Sequence, residues 1–274
     1  MKVNLHTHTF RCGHAKGTEK EYIERAISGG ITHMGFSDHI PLVFPNGSQS
    51  NFRVPMSMAK DYIDTLRALR EEYSDRIKIY IGFEMEYYPL FFGDMLQTAI
   101  ELGAEYLILG QHFSQNEYPD RIPSATPTTS EELLEEYVSS VVSAIKSGVF
   151  TYVAHPDLSN FYGAADIYEK HMRKICESAA LYDIPLEINF CGLRSGRRYP
   201  RQDFWKIAGE CGCKAVFGFD AHAVRDAYDD RSLKVAQWIA DTYKLEIITY
   251  PSLIDPKTKI KTDLKQSSNG ETNE

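Results

Sequence analysis

Nine histidines stand in this chain, and seven of them fall at or just beyond the ends of short apolar runs. His6 and His8 follow Val3-Asn4-Leu5, His39 follows Met34-Gly35-Phe36-Ser37-Asp38, and His112 follows Tyr106-Leu107-Ile108-Leu109-Gly110-Gln111. His155 follows Tyr152-Val153-Ala154, and Asp220 and His222 follow Ala215-Val216-Phe217-Gly218-Phe219. Alternate residues of a strand project to one side, so His6 and His8 aim two imidazoles at one point. Neutral imidazoles with a few carboxylates form a donor set suited to zinc, manganese or iron. A single strand-end histidine is more often an ordinary hydrogen-bonding residue; its repetition along the chain argues for a shared centre. His33, at the opposite end of a strand, and His171, inside a helix, fall outside the pattern and read as structural.

The elements that must position these residues alternate. Strand patterns cover 2–6, 32–37, 77–86, 105–111, 150–154, 185–190 and 214–219, and 245–250 is a candidate further strand. Helical patterns cover 18–29, 56–74, 92–102, 130–147, 166–182, 201–211 and 224–243. Thr18 and Glu21 have the capping-box spacing; Ser130 with its following glutamates suits a helix start. Repeated β–α units imply a parallel sheet closed into a distorted seven-stranded (β/α)7 barrel, TIM-barrel-like, over residues 1–256 as one domain. Such barrels carry their active sites at the C-terminal ends of the strands. That mouth then collects His6, His8, His39, Glu84, His112, His155, Asp220 and His222, with His14 able to bend back from the first loop. Two long loops, 39–55 and 113–129, have the character of active-site lids. The polar tail 257–274 is expected to be disordered.

The bulk composition is that of a globular protein, 43% hydrophobic and 25% charged. No apolar stretch approaches the roughly 20 residues of a membrane helix, and the start shows no secretory leader, so neither a membrane nor export is expected. Five cysteines without a paired framework fit a reducing cytoplasm. Cys211-Gly-Cys213 reads as a helix end turning into a strand. A net charge of −8 argues against nucleic acid as a partner, which needs Lys and Arg to neutralise phosphates. It leaves an anionic small molecule possible, because bound cations reverse the local field.

His6-Thr-His8, the loop His14, Ser37-Asp38-His39, Glu84, Gly110-Gln111-His112, His155-Pro156-Asp157 and Asp220-Ala-His222 resemble the successive metal motifs of the PHP (polymerase and histidinol phosphatase) family. The resemblance runs from Val3 to His222. It implies three divalent ions: one on His6, His8, Glu84 and Asp220; one on Glu84, His112 and His155; and one on His14, His39 and His222. Arg11-Cys-Gly-His14-Ala, Glu84-Met-Glu86-Tyr-Tyr-Pro and the loop from Gly192 to Tyr199-Pro200 look most like the family's histidinol-phosphate phosphatase branch. The implied reaction is hydrolysis of L-histidinol phosphate, by in-line attack of a hydroxide generated between two of the ions.

Phosphoryl transfer asks mainly for positioning and electrostatics, so Glu84 and Asp220 are expected to act through the metals. Asp157 is a candidate for protonating the leaving group. Asp38 and Asp157 are candidates for orienting neighbouring imidazoles. Arg11, Arg194 and Arg197 are candidates for gripping phosphate, since a guanidinium forms a bidentate fork. Glu86, Phe44, Phe52, Phe113 and Tyr118 are candidates for the far end of the substrate. Two other readings stay open: a related phosphatase acting on phosphotyrosyl protein or a small nucleotide, and a non-enzymatic metal-binding module.

Overall fold

The computed structural model describes residues 1–119 and 121–258. Eight parallel strands follow one another in sheet order. They are β1 Val3–Asn4, β2 His33–Phe36, β3 Lys78–Met85, β4 Tyr106–Leu109, β5 Tyr152–Val153, β6 Leu186–Asn189, β7 Lys214–Gly218 and β8 Glu246–Ile247. The helices between them are α1 Glu19–Ser28, α2 Ala59–Glu72, α3 Phe92–Leu102, α4 Glu131–Ser147, α5 Ala165–Leu181, α6 Phe190–Arg194, α7 Gln202–Glu210 and α8 Asp230–Thr242. The sheet curls as a barrel. At its mouth the chain beyond β1 reaches the chain beyond β7, with Thr7 bridging Ala221 and the His8 amide donating to the Ala221 carbonyl at 3.0 Å. The candidate eighth strand is present as the short β8, paired to β7 through Lys214 and Ala215.

Local chemistry explains where the elements start and stop. Thr18 and Glu21 form the capping box that opens α1, and Ser130 accepts from the Leu133 amide to open α4. β1 is shorter than its apolar pattern because the Asn4 side chain takes over the backbone's role. Its Oδ1 accepts from the amides of His6 at 3.3 Å and Phe219 at 3.0 Å, and its Nδ2 donates to Thr7 Oγ1 at 2.7 Å. The expected helix at 224–243 is divided into a 3-10 turn, Val224–Ala227, and α8. Asp229 makes that division by accepting from the Ser232 amide at 3.0 Å. The loop after β6 contains α6, whose start Asn189 caps by accepting from the Gly192 amide.

Two apolar layers hold the barrel. Val3, Leu5, Tyr106, Ile108, Tyr152, Ala154 and Val216 fill its interior beneath the mouth, while a larger cluster packs the helices on the outside of the strands. The Tyr106 hydroxyl is satisfied inside by the carbonyls of Leu5 at 2.8 Å and Phe36 at 3.1 Å, as a buried phenol requires. Among the described residues no helix is long and apolar enough to cross a membrane. The expectation for the polar tail falls, from residue 259 onward, outside the described residues.

Candidate metal centre

The strand ends bring all nine expected donors together around Glu84, which projects from β3 and is 1% exposed. Its two oxygens face different partners. Oε2 lies 3.3 Å from His6 Nε2, 3.4 Å from His8 Nε2 and 3.3 Å from His39 Nδ1. Oε1 lies 2.8 Å from His155 Nε2 and 3.4 Å from His112 Nε2. Asp220 Oδ1 approaches His8 Nε2 at 3.3 Å and His6 Nε2 at 3.6 Å. Gly110 is what admits this density of groups: any Cβ there would overlap the Glu84 carboxylate. His8, His14 and His222 continue the cluster outward, with ring centroids 4.1 Å apart for His8 and His222 and 4.5 Å for His14 and His222.

Triads of donor atoms close enough for one cation are His6–His8–Glu84, His39–Glu84–His112, His14–His39–His222 and His6–His155–Asp220. His39 and His6 each belong to two triads, so distances alone do not impose a single partition. A further triad, His8–Cys12–His222, includes a thiol that the apolar-run pattern does not bring to the mouth. Burial pushes the Cys12 thiol up to about 11, which leaves it protonated near neutrality and a weak donor.

The electrostatics show a site short of positive charge. Burial by itself would lower His6, but Glu187, Asp220 and Glu84 outweigh it and raise the imidazole to about 10. Burial pulls His14 down to about 4, with His222 adding to the effect, and burial likewise holds His39 well below its ordinary range. Those two rings stay neutral, the form a metal ligand needs. Among the described residues, His8 Nε2, His39 Nδ1, His222 Nε2 and Asp220 Oδ1 are buried without a hydrogen-bond partner. Buried polar atoms left unpaired are costly and call for a missing ion or water. The donor set, the orphaned atoms and the negative field all fit divalent cations.

Carboxylates outside the triads approach the imidazoles. Asp38 Oδ1 lies 3.4 Å from His8 Nδ1, an approach without a hydrogen bond, and is itself held by the Thr9 amide at 2.9 Å. Two others were not assigned this position from sequence. Glu86, considered for the substrate's far end, instead pairs with His112 Nδ1 at 2.9 Å and Arg53 Nη2 at 2.9 Å. Glu187 faces His6 Nδ1 at 2.9 Å. An acid inside the otherwise apolar run Leu186-Glu187-Ile188 was the available signal.

The remaining expectations fare differently. The centre opens into a cavity of about 1100 Å³ whose wall includes Arg194, Arg197, Phe52 and Phe113. Phe44 and Tyr118 stack on each other, rings 5.3 Å apart, and are not among its lining residues. Arg11 turns away from it: the guanidinium is buried against Glu19 and donates to Asp61 Oδ2 at 2.7 Å and 2.9 Å. Phosphate would have to displace two carboxylates to reach it. Arg194 lines the cavity but donates to the carbonyls of Phe219 at 2.8 Å and Asp220 at 3.0 Å, with Asp226 and Asp229 alongside. It anchors the loop carrying Asp220, whose φ of 46° lies in the left-handed region. Arg197, beside Tyr199, forms no ion pair with a carboxylate among the described residues and faces the cavity. Asp157 is 2% exposed and is not among the lining residues. Its Oδ2 accepts from the Arg201 amide at 2.6 Å, and burial raises the carboxyl to about 7. That position pins the chain after Tyr199.

Fold and cluster together define a β/α-barrel protein with a divalent-metal centre at the C-terminal ends of its strands. The chain belongs to the PHP domain family, whose model matches residues 4–190. A probable histidinol-phosphatase of Deinococcus radiodurans is 27% identical over 228 residues, covering 79% of this chain and 85% of that protein. A histidinol-phosphatase of Lactococcus lactis is 27% identical over 84 residues, 31% of this chain and 29% of that protein. The crystal structure of histidinol phosphate phosphatase from Lactococcus lactis, complexed with zinc, L-histidinol and phosphate, superposes with a TM-score of 0.70. It shares 18% identity and covers 93% of this chain and 97% of that one, a likeness of fold.

Proposed function

We propose that the protein is a metal-dependent phosphomonoesterase that hydrolyses L-histidinol phosphate to L-histidinol and phosphate. The observation that carries this reading is the division of Glu84: each oxygen serves its own set of imidazoles, as a bridging carboxylate between two cations does. His6, His8, Glu84 and Asp220 would hold one ion, Glu84, His112 and His155 a second, and His14, His39 and His222 a third, with zinc, manganese or iron suited to the donors. Bound there, such ions supply a water acidified to a pKa of about 7 and neutralise charge on the phosphoryl group.

The chain's own residues do the rest. Glu84 and Asp220 set the negative charge of the inner centre, and the neutral rings of His14 and His39 leave the outer position free to attract an anion. Arg197 grips phosphate oxygens from the cavity wall through a charge-assisted contact. Phe52 and Phe113 present apolar faces to the organic part of the ester and exclude water around it. The histidinol assignment draws its support from the relatives, above all the one aligned over most of both chains. Phosphate release from histidinol phosphate, phosphotyrosine and nucleoside monophosphates, measured with metal content on the same sample, tests it. Preference for histidinol phosphate is expected; equal rates across the panel would remove that substrate and leave a general phosphatase.

A further inference from the structure

Resting on the metal-centre reading above, a further role falls to an acid inside the barrel wall. Glu187 stands in β6, a strand buried along its whole length, and is itself 0% exposed. A carboxylate in such a place is costly unless its lone pairs are satisfied. Three donors satisfy it. Oε1 faces His6 Nδ1 at 2.9 Å, and Oε2 accepts from the His155 backbone amide at 3.1 Å and from Asn189 Nδ2 at 2.8 Å. The same Asn189 Nδ2 reaches Asp220 Oδ2 at 3.1 Å. One carboxylate therefore touches the side chain of a ligand after β1 and the main chain of a ligand after β5, and reaches a third after β7 through one amide. The neighbouring strand is shaped around it, for a Cβ at Gly218 would overlap Glu187 Oε1.

Each contact has a consequence for a donor atom. When His6 donates from Nδ1 to Glu187, its Nε2 is left as a lone pair facing Glu84 and Asp220, the tautomer a cation requires. His155 adopts φ of 30°, uncommon for a residue with a side chain. Its amide is held there by Glu187; without that acceptor the amide becomes a buried orphan and the backbone is free to relax, swinging the imidazole away from Glu84. We propose that Glu187 is a positioning residue that sets the His6 tautomer and the His155 backbone together, so that ligands on both sides of Glu84 depend on one buried acid.

Glu187→Gln tests this. The amide keeps the shape but offers one acceptor oxygen to three donors. Zinc affinity is measured by chelator competition on the full chain, beside steady-state phosphate release from histidinol phosphate. The expected result is zinc held about 10- to 100-fold more weakly, with kcat reduced and KM changed little. Glu187→Asp, which keeps the charge but falls one methylene short, carries the same readout should the glutamine variant fold poorly by circular dichroism. Zinc affinity equal to wild type in the folded variants, with only a lower melting temperature, would overturn the inference. A wild-type chain that binds no zinc would overturn the metal-centre reading itself, and that measurement stands apart from the comparison of variants.

Discussion

Glu84 meets five imidazoles with two oxygens, three through Oε2 and two through Oε1. Glu84→Gln preserves the volume and removes the charge. Since even outer residues around metal ligands typically cost about 10- to 100-fold, the expected loss of kcat exceeds about 100-fold, with reduced zinc content by elemental analysis. Unchanged activity at unchanged metal content would sink the bridging role. The arginines separate by partner. Arg197→Ala removes a charge-assisted contact worth about 1.5–3 kcal/mol and should raise KM by about tenfold or more. Arg194→Ala should act on kcat, because its guanidinium holds the carbonyls of Phe219 and Asp220. Arg11→Ala should leave both constants near wild type and lower stability, its partners being Glu19 and Asp61. Steady-state kinetics on the three variants distinguishes these outcomes.

At the scale of elements, the two long loops are fastened together by one buried arginine. Arg53, from the 39–55 loop, donates to Glu117 in the 113–129 loop at 2.7 Å and 3.1 Å, to the Ile40 carbonyl at 3.2 Å, and pairs with Glu86 at 2.9 Å. Its neighbour Phe52 packs edge-on against His39, centroids 5.1 Å apart. The two loops are thus joined at Arg53 beside the cavity, which the composition of either loop does not reveal. Arg53→Leu strands two buried acids and should destabilise the fold by about 3–5 kcal/mol in denaturant titrations. A change below about 1 kcal/mol would show that the clasp is solvated and weak. The helices were legible in outline: α3 matches its expected span, and α1 and α4 begin at the caps their sequences advertise. The breaks at Asp229 and Asn189 were not, because a capping side chain wins over an apolar period only once its amide partners are in place.

For the whole molecule, the uncompensated field at the mouth makes metal binding part of stability. Ligands that bind only the folded state stabilise it by about 4 kcal/mol at a thousand times Kd. For a chain of this size that corresponds to a rise in Tm on the order of 10 °C, lost again on adding a chelator. Scanning calorimetry of chelator-treated protein with and without zinc checks this; identical Tm values would contradict the centre.

The parallel β–α order and the nine candidate donors could be read from sequence, because strands repeat a simple local pattern and all the donors but His14 fall within or just past a strand-like apolar run. Tertiary structure decided the rest. Arg11 and Arg197 are both arginines on mouth-side loops, yet one is neutralised by Glu19 and Asp61 and the other faces the cavity. Asp38 and Asp157 each stand beside a ligand, yet only Asp38 lies near an imidazole; Asp157 faces the Arg201 amide. Glu187 in β6 and Glu86 just past β3 look alike as buried acids beside apolar residues, and their partners, His6 and His112, lie 181 and 26 residues away. Which acid meets which ring depends on strands adjacent in space and remote in sequence, and no local spacing encodes that.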